Sequence, residues 1–515
     1  MKVIDFFDRG ATAFADRPCL VDEGTSLTFA EAKELTGKVA AALRFRGVGA
    51  DEKVAILSPN GAIAFAVILG VFRLGAVWVP INAASSVDDN GAFMNLTGVG
   101  TLFVHPKYYP LVPRLRELCP QAERVIGLGD SITGGWSFAD FLAGGDAWEE
   151  CEVLDKGRIV SLYATGGTTG LPKAVMFTDL MWETMIATMH LSVPVNGPPV
   201  NLVVAPMTHG AGAVGIGLIC SGATNIFLEK FDAGRVLEAI EEYRVTHLFL
   251  PPTAIYMLLD HPNIKNHDYS SLQCFLYAAA PMSVDRLRQA MAVFGPVMVQ
   301  TFGQTEAPLI CTCLDIEDHK RALFGREDLL KSCGRATFLT RVAIMGEDGK
   351  LLPVGDVGEI VVSGNLTTPG YYQNPGETAK SKAGLWHRTS DVGYQDAEGY
   401  LYIVDRKRDM IISGGFNIFP SEIEQVIWSH PAVADCAVVG TPDDKWGEAV
   451  KAVIELKPGA SVSDEDIISL CRAKLGAVKT PKSVEFWPEL PRSAVGKVLK
   501  KDIRARFWRD HSRKI

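Results

Sequence analysis

Short apolar runs recur along the chain, and within each run the apolar residues are continuous rather than alternating with polar ones. The clearest runs cover residues 159–163, 202–205, 246–250, 274–277 and 297–299. Helical stretches such as residues 235–243 lie between them. Strands that helices cover on both faces have this continuous pattern. The pattern therefore predicts an α/β body of doubly wound sheets, with ligands at the carboxyl ends of parallel strands.

The N-terminal region contains two segments that are typical of helices. Thr28 and Glu31 have the spacing of a capping box, and Gly47 is a suitable end for the helix that follows. Residues 61–72 are uncharged and mostly apolar, but the stretch stops at Arg73 and is too short to span a bilayer. We expect it to form a buried helix.

The pattern changes in the last third of the chain. Short Val/Ile runs between Gly/Asp turns at residues 341–364 predict a small antiparallel or β-barrel-like unit. A charged break follows at residues 405–409, and Ser421 and Glu424 have the spacing of a second capping box. We therefore expect an N-terminal domain of residues 1–405 and a small α+β C-terminal domain of residues 406–515, joined near residues 406–409.

Composition narrows the function. With 515 residues, 47% hydrophobic and 22% charged, the chain has the composition of a globular protein. Its net charge of −9 argues against nucleic acid as a partner. The ten cysteines contain no C-x-x-C pair, and the N-terminus lacks the features of a signal peptide, so we expect a cytoplasmic protein without a transmembrane segment. Peripheral membrane contact and a homodimer both stay open.

A segment rich in glycine and threonine follows the run at 159–163. Its candidate phosphate-binding residues are Thr165, Gly166, Gly167, Thr168, Thr169, Gly170 and Lys173. Glycines let backbone N–H groups approach an anion, threonine hydroxyls donate further hydrogen bonds, and lysine adds positive charge. It is not a Walker A sequence, because Leu171 and Pro172 separate Gly170 from Lys173. Taken alone, the segment is either a triphosphate-binding loop or a flexible turn.

This segment resembles the T-S-G-T-T-G-x-P-K-G loop of the adenylate-forming superfamily, which contains acyl-CoA synthetases, luciferases and peptide-synthetase adenylation domains. Gly166 replaces the usual serine and Ala174 the usual glycine. Further segments resemble the family's motifs in the family's order, and they cover residues 206–212, 278–281, 301–306, 370–372, 386–391, 404–409, 414–420 and 490–497. So many ordered matches identify the chain as a member of the family's acyl-CoA synthetase branch.

The resemblance implies which residues carry the chemistry. Lys497 matches the catalytic lysine, Thr305 would hydrogen-bond the α-phosphate, and Glu306 would hold Mg²⁺. His209 matches the family position that places an aromatic or imidazole ring beside the carboxylate pocket. Its imidazole could equally line the pocket without a catalytic role.

The resemblance also implies the nucleotide and CoA contacts. Beside the phosphate loop, these residues are Ala279, Ala280, Pro281 and Phe302 at the adenine, Asp391 and Arg406 at the ribose, and Gly414 and Gly415 at a pantetheine tunnel. In the family, the C-terminal domain rotates about the hinge between two half-reactions. We therefore expect the C-terminal domain to be mobile.

The implied function is that of an ATP-dependent acyl-CoA synthetase using ATP, Mg²⁺ and CoA. It would convert a carboxylic acid into an acyl-adenylate with release of pyrophosphate, and then transfer the acyl group to the CoA thiol with release of AMP. Loading of an acyl carrier protein is the closest alternative, and it is disfavoured because no carrier domain follows Lys497. A luciferase-like oxygenase shares the motifs, whereas a non-catalytic nucleotide-binding homologue would be expected to lack Glu306, Asp391 or Lys497.

The identity of the acid depends on small residues behind His209. Residues 210–217 and 278–280 are small and apolar. They either leave space for a bulky hydrophobic acid, such as a medium- or long-chain fatty, aryl or steroid-type acid, or they permit close helix packing. The sequence alone leaves both interpretations open.

Overall fold

The structure is a computed structural model, and it describes residues 1–145, 148, 155, 157–165, 172–443, 445–493 and 496–509. Part of the predicted phosphate loop lies outside these ranges, namely Gly166, Gly167, Thr168, Thr169 and Gly170. Within the ranges, no helix has the length and apolar character needed to cross a membrane. The cysteines described there are free thiols, and the cytoplasmic location stays a prediction.

The first sheet ends in an antiparallel strand pair that flanks the predicted phosphate loop. Its strands stand in the order Arg124–Gly127, Val99–Val104, Lys53–Leu57, Val77–Pro80, Ile159–Thr165 and Lys173–Thr178. Neighbouring strands are parallel except in the final, antiparallel pair. In that pair Thr165 lies opposite Lys173, so these two predicted phosphate-binding residues flank the loop at the carboxyl end of a parallel strand.

The second sheet is the larger one. Its strands stand in the order Arg335–Ala336, Ala307–Leu314, Met298–Gln304, Cys274–Tyr277, His247–Leu250, Val200–Val203, Thr224–Phe227, Pro18–Val21 and Ser26–Thr28. The central strands are parallel, and antiparallel strands form both edges. The carboxyl ends of the parallel strands therefore lie along one edge, where the topology places ligands.

Helices cover both faces of these sheets. The α-helices are Val3–Ala13, Phe29–Phe45, Ala62–Leu74, Val87–Thr97, Val112–Leu118, Phe138–Leu142, Asp179–Ser192, Gly210–Leu218, Ala233–Glu242, Pro252–Leu259, Val284–Phe294, Ile316–Leu323, Pro375–Lys380, Pro420–Trp428, Asp464–Lys479 and Lys500–Phe507. Short 3₁₀ helices cover Pro106–Leu111, Ile219–Ser221, Ile264–Asn266 and Glu327–Lys331. Ala62–Leu74 and Asp179–Ser192 belong to a core shared by both sheets, and further cores lie on the opposite faces. The predicted doubly wound α/β body is confirmed.

Two smaller sheets complete the fold. The third, antiparallel sheet contains Arg341–Met345, Gly358–Ser363, Trp386–Gln395, Lys382–Ala383 and Leu401–Arg406. The fourth contains Phe416–Ile418, Ile411–Ser413, Gly447–Leu456, Val433–Asp443 and Ser483–Phe486. The predicted hinge at 406–409 falls between these sheets, and the division into two domains stays a prediction.

The predicted N-terminal helices are present. The Glu31 N–H donates to the Thr28 hydroxyl at 3.2 Å, and the Thr28 N–H donates to the Glu31 carboxylate at 2.8 Å, which completes the capping box of Phe29–Phe45. Gly47 follows the helix with a φ of 75°, a conformation that glycine adopts without strain. The uncharged stretch at 61–72 forms the buried helix Ala62–Leu74.

The predicted capping box at Ser421 and Glu424 is wrong. The helix begins at Pro420, and its N-cap residue, Phe419, makes no side-chain cap. The Ser421 N–H instead donates to Asp405 Oδ2 at 2.9 Å, while the Ser421 hydroxyl donates to the Val404 carbonyl. A carboxylate from the preceding sheet therefore caps this helix, which the local sequence pattern could not show.

Glu424 serves a different, buried contact. Its carboxylate accepts the Val438 N–H at 2.7 Å and lies 2.8 Å from the Lys500 ammonium group. Burial raises the pKa of Glu424 to about 7, although Lys500 acts in the opposite direction. Glu424 and Asp405 raise the pKa of Lys500 and outweigh the lowering effect of burial. The pair ties helix Lys500–Phe507 to the core of the C-terminal region.

Candidate active site

Several of the predicted site residues lie where strands of the second sheet end. His209 follows Val200–Val203, the small-residue turn follows Cys274–Tyr277, and Thr305 and Glu306 form the turn after Met298–Gln304. These three strands lie within a run of four neighbouring parallel strands. The topology therefore brings together residues that are nearly a hundred positions apart in sequence, as the strand-end rule predicts.

Lys497 lies half-buried in a cluster of charged groups. Burial, together with the positive charges of Arg406 and Arg408, lowers its pKa to about 8, although Asp391 acts in the opposite direction. Arg406 Nε is 3.2 Å from Oδ1 of the buried Asp391. Burial raises the pKa of Asp391, and the neighbouring cations partly offset that effect. The structure thus places the predicted ribose-binding pair and the predicted catalytic lysine in one cluster.

His209 faces the same cluster. Part of its surface is open, yet desolvation by the surrounding protein and the charge of Lys497 lower the ring's pKa to about 4. The ring is therefore neutral near pH 7, and its Nδ1 forms a hydrogen bond with the Thr208 hydroxyl at 3.0 Å. The Thr253 hydroxyl also donates to the Gly496 carbonyl at 3.4 Å. The segment that carries Lys497 is thus docked on the N-terminal body.

Glu306 is a buried carboxylate at the turn that follows Phe302. It is 7% exposed, and its Oε1 accepts a hydrogen bond from the Tyr371 hydroxyl at 2.8 Å. Thr305 precedes it in the same turn and is half-buried. Tyr371 belongs to residues 370–372, a segment that resembles a motif of the family but for which the resemblance implied no role.

The predicted adenine contacts lie on two neighbouring strands. Ala279, Ala280 and Pro281 follow strand Cys274–Tyr277, and their surfaces are exposed or half-exposed. Phe302 is buried on the adjacent strand. Ala279 has a φ of 80°, which is uncommon for a residue with a side chain and is often found at functional turns. This geometry suits a flat ligand lying on small side chains.

Gly414 and Gly415 belong to the fourth sheet rather than to the strand-end cluster. They form the turn between Ile411–Ser413 and Phe416–Ile418, with φ angles of 59° and 84°. A Cβ on Gly414 would lie 2.6 Å from the Trp446 ring. Both the positive φ and this close approach require glycine at position 414.

The sequence did not single out Glu377, which contacts Lys173. The Lys173 ammonium group forms an ion pair with Glu377, and it also lies 5.0 Å from the centre of the Tyr371 ring. Hydrogen bonds from Lys173 and then Lys380 lower the pKa of Glu377 to about 2. The local sequence does contain a helix-start pattern, because Asn374 and Glu377 have the spacing of an N-cap residue and its partner. In the structure the Asn374 side chain accepts a hydrogen bond from the Glu377 N–H.

Asn60 is a second residue that the sequence did not single out. Its side-chain amide donates to the carbonyls of Val204, Ala205 and Leu228 at 3.1–3.2 Å and accepts the Met207 N–H at 2.8 Å. It therefore fixes the segment that leads to His209. Nothing in a local sequence pattern links position 60 to position 207.

The glycines behind His209 are closely packed. A Cβ on Gly212 would lie 1.8 Å from the Met207 carbonyl oxygen, and one on Gly210 would lie 3.0 Å from the Phe249 ring. A cavity of only about 10 Å³ is lined in part by Val214 of the same helix, which is room for about one water molecule. The structure therefore favours close helix packing as the role of these glycines, and they do not by themselves set the size of the acid.

Comparisons with known proteins identify the family of the chain. Residues 7–372 match the AMP-binding enzyme family, and residues 422–497 match the AMP-binding enzyme C-terminal domain. The medium/long-chain-fatty-acid–CoA ligase FadD8 of Mycobacterium tuberculosis is 35% identical over 515 residues, with 97% of this chain and 89% of that protein covered. Feruloyl-CoA synthase of Amycolatopsis sp is 34% identical over 493 residues, with 94% of each covered. The amide bond synthetase McbA from Marinactinospora thermotolerans aligns with a TM-score of 0.88 at 30% identity, covering 98% of this chain and 100% of that one. With nucleotide-site motifs at the strand ends and a family match over residues 7–372, the chain belongs to the AMP-binding enzyme family.

Proposed function

We propose that the protein is an AMP-forming acid–CoA ligase that activates a hydrophobic carboxylic acid. The observation that carries the proposal is that Lys497 lies near the Asp391–Arg406 pair and His209, close enough for their charges to interact. Two relatives that match nearly the whole chain are named medium/long-chain-fatty-acid–CoA ligase and feruloyl-CoA synthase. Medium- or long-chain fatty, aryl and steroid-type acids are the proposed substrate classes.

The chemistry explains the cluster of cations. A carboxylate resists nucleophilic attack, so an oxygen of the acid first attacks the α-phosphorus of ATP and pyrophosphate leaves. Negative charge gathers on the phosphate oxygens during this step, and positioned cations stabilise it. Lys497 would bridge the acid and the α-phosphate, and Thr305 would donate a hydrogen bond to that phosphate. Lys173 and the loop beginning at Thr165 would hold the β- and γ-phosphates.

Glu306 fits the role of a Mg²⁺ ligand. Within the described residues, no group of three or more His, Cys, Asp or Glu side chains could hold a metal ion. Mg²⁺ at nucleotide sites uses one or two carboxylates, with phosphate oxygens and water completing its coordination. A single buried carboxylate provides that donor type. When bound, Mg²⁺ would neutralise charge on the phosphates.

In the second step the CoA thiol must reach the acyl carbon through the space that the Lys497 side chain occupies. We propose that rotation about residues 406–409 withdraws Lys497 and brings Gly414 and Gly415 toward the pantetheine arm. The thiol then attacks the acyl carbon, the thioester bond forms and AMP leaves. The position of Lys497 near Asp391 and Arg406 supports its assignment to the first step, and conformational steps of this kind often limit turnover.

A panel of carboxylic acids tests the proposal. Saturated acids of increasing length, ferulic acid and a steroid side-chain acid should be incubated with ATP, Mg²⁺ and CoA, and AMP and thioester measured. We expect AMP and thioester in equal amounts with at least one class. Activity with no acid, or ADP as the product, would overturn the proposal. Holo acyl carrier protein and an amine, offered in place of CoA, test the other acceptors.

The lowered pKa of Lys497 predicts a pH limit for adenylation. Lys497 must be protonated to offset negative charge, so kcat/KM for pyrophosphate release should fall as pH rises above about 8. Replacing Arg408 with glutamine removes a positive charge that lowers this pKa, so the falling limb should move to higher pH. Lys407→Gln changes the adjacent residue and serves as the control. A limb that stays in place in Arg408→Gln would contradict the assignment to Lys497.

A further inference from the structure

Tyr371 lies between the two ends of the nucleotide site, and the chemistry above does not use it. Its hydroxyl donates to Glu306 Oε1 at 2.8 Å, while its ring lies 5.0 Å from the Lys173 ammonium group. The side chain is only 8% exposed. One buried tyrosine therefore contacts both the proposed metal ligand and the proposed phosphate-binding lysine.

Backbone hydrogen bonds fix the segment that carries this tyrosine. The Thr368 N–H donates to the Glu306 carbonyl at 2.7 Å, which joins the segment to the second sheet. The Tyr372 N–H donates to the Ala174 carbonyl at 2.8 Å, and the Met176 N–H donates to the Gly370 carbonyl at 3.1 Å. These two bonds join it to strand Lys173–Thr178 of the first sheet. The segment thus sets the separation between Glu306 and Lys173.

The chemistry of the two contacts is distinct. The phenolic hydroxyl of Tyr371 is the hydrogen-bond donor and the Glu306 carboxylate is the acceptor. By donating to Oε1 it fixes the orientation of the Glu306 carboxylate. The ring face attracts the Lys173 cation, which Glu377 holds from the other side. Nucleotide phosphates would compete with Glu377 for that lysine, while the aromatic contact stays available.

We propose that Tyr371 is a positioning residue for adenylation: its hydroxyl orients Glu306 for Mg²⁺ and its ring keeps Lys173 beside the phosphates. This inference rests on the proposed function. Groups that orient metal ligands in this way typically contribute about 10–100-fold to metal affinity or activity. The two contacts can be separated, because one needs the hydroxyl and the other needs only the ring.

Tyr371→Phe removes the hydroxyl and keeps the ring. We expect Mn²⁺, used as a probe for Mg²⁺ and titrated with ATP present under electron paramagnetic resonance, to bind about tenfold more weakly. The Mg²⁺ concentration for half-maximal pyrophosphate release should rise to a similar extent. Tyr371→Leu removes the ring as well and should additionally raise the KM for ATP. Tyr372→Phe makes the same chemical change one residue away and should leave all three quantities unchanged.

Thioester formation and the melting temperature provide two further tests of the inference. Thioester formation from a supplied acyl-adenylate should be unchanged in Tyr371→Phe, because neither Glu306 nor Lys173 takes part in that step. Unchanged Mn²⁺ affinity, or an equal loss of both half-reactions with a lower melting temperature, would overturn the inference. The Mn²⁺ titration needs no turnover, so it tests Tyr371 even if no acid supports AMP release and the proposed function fails.

Discussion

Replacing Lys497 with alanine is expected to reduce acid-dependent pyrophosphate release by about 10²–10³-fold. The reason is that the alanine variant lacks the cation held against Asp391 and Arg406, where the acid and the α-phosphate would meet. Thioester formation from a supplied acyl-adenylate should be largely retained, because in the proposed mechanism Lys497 is withdrawn before the thiol step. Rapid-quench measurement of each half-reaction separates the two effects.

A matched control lies four residues away. Lys501 is exposed at the start of the last helix, so Lys501→Ala makes the same change without altering the site. Both half-reactions should be unaffected in that variant. If Lys497→Ala instead slows both half-reactions to the same degree, the lysine is not specific to adenylation and its assignment fails.

Replacing Lys500 with methionine should have the largest effect on stability. Lys500 is the ion-pair partner of the buried Glu424, and methionine preserves most of the volume while leaving that carboxylate without its counter-charge. Loss of one partner of a buried pair costs about 3–5 kcal/mol of free energy of unfolding. Urea denaturation followed by tryptophan fluorescence measures the loss.

The pH dependence of that loss has a definite sign. The pKa of Glu424 is already raised to about 7, and removing Lys500 raises it further. With Lys500 present, Glu424 is mostly protonated at pH 6 and mostly ionised at pH 8, so its charge is paired with Lys500 mainly at pH 8. The destabilisation caused by removing Lys500 should therefore be smaller at pH 6. The double variant Lys500→Met, Glu424→Gln should recover much of the stability. A loss that is equal at both pH values would contradict the buried-charge explanation.

The contrast between neighbouring lysines shows what the sequence could predict. Lys497 lies in a sequence motif that predicts its role. The strand-end rule explains why His209 and Glu306 lie at the same edge of the second sheet. Lys500 carries the same charge three residues later, yet only the fold shows that it pairs with the buried Glu424. Pattern and topology predict where chemistry occurs, whereas the partner of a given charge depends on tertiary packing.

The residues that the sequence missed share one physical feature. Glu377 contacts Lys173 across 204 positions, and Tyr371 contacts Glu306 across 65. Local periodicity carries no information on such pairs. The capping box at Ser421 failed for the same reason, because Asp405 from the preceding sheet supplies the cap. By contrast, the capping box at Thr28 was confirmed because both of its partners lie within the same turn.

Transfer of isotopic oxygen tests the central claim most directly. If the acid is activated as an adenylate, one oxygen of an ¹⁸O-labelled carboxylate must leave with the phosphate of AMP when the thioester forms. Mass spectrometry of the products should therefore show AMP that carries a single ¹⁸O atom, together with unlabelled pyrophosphate. Label in inorganic phosphate with ADP as the nucleotide product would contradict the account, because it would show attack at the γ-phosphorus of ATP.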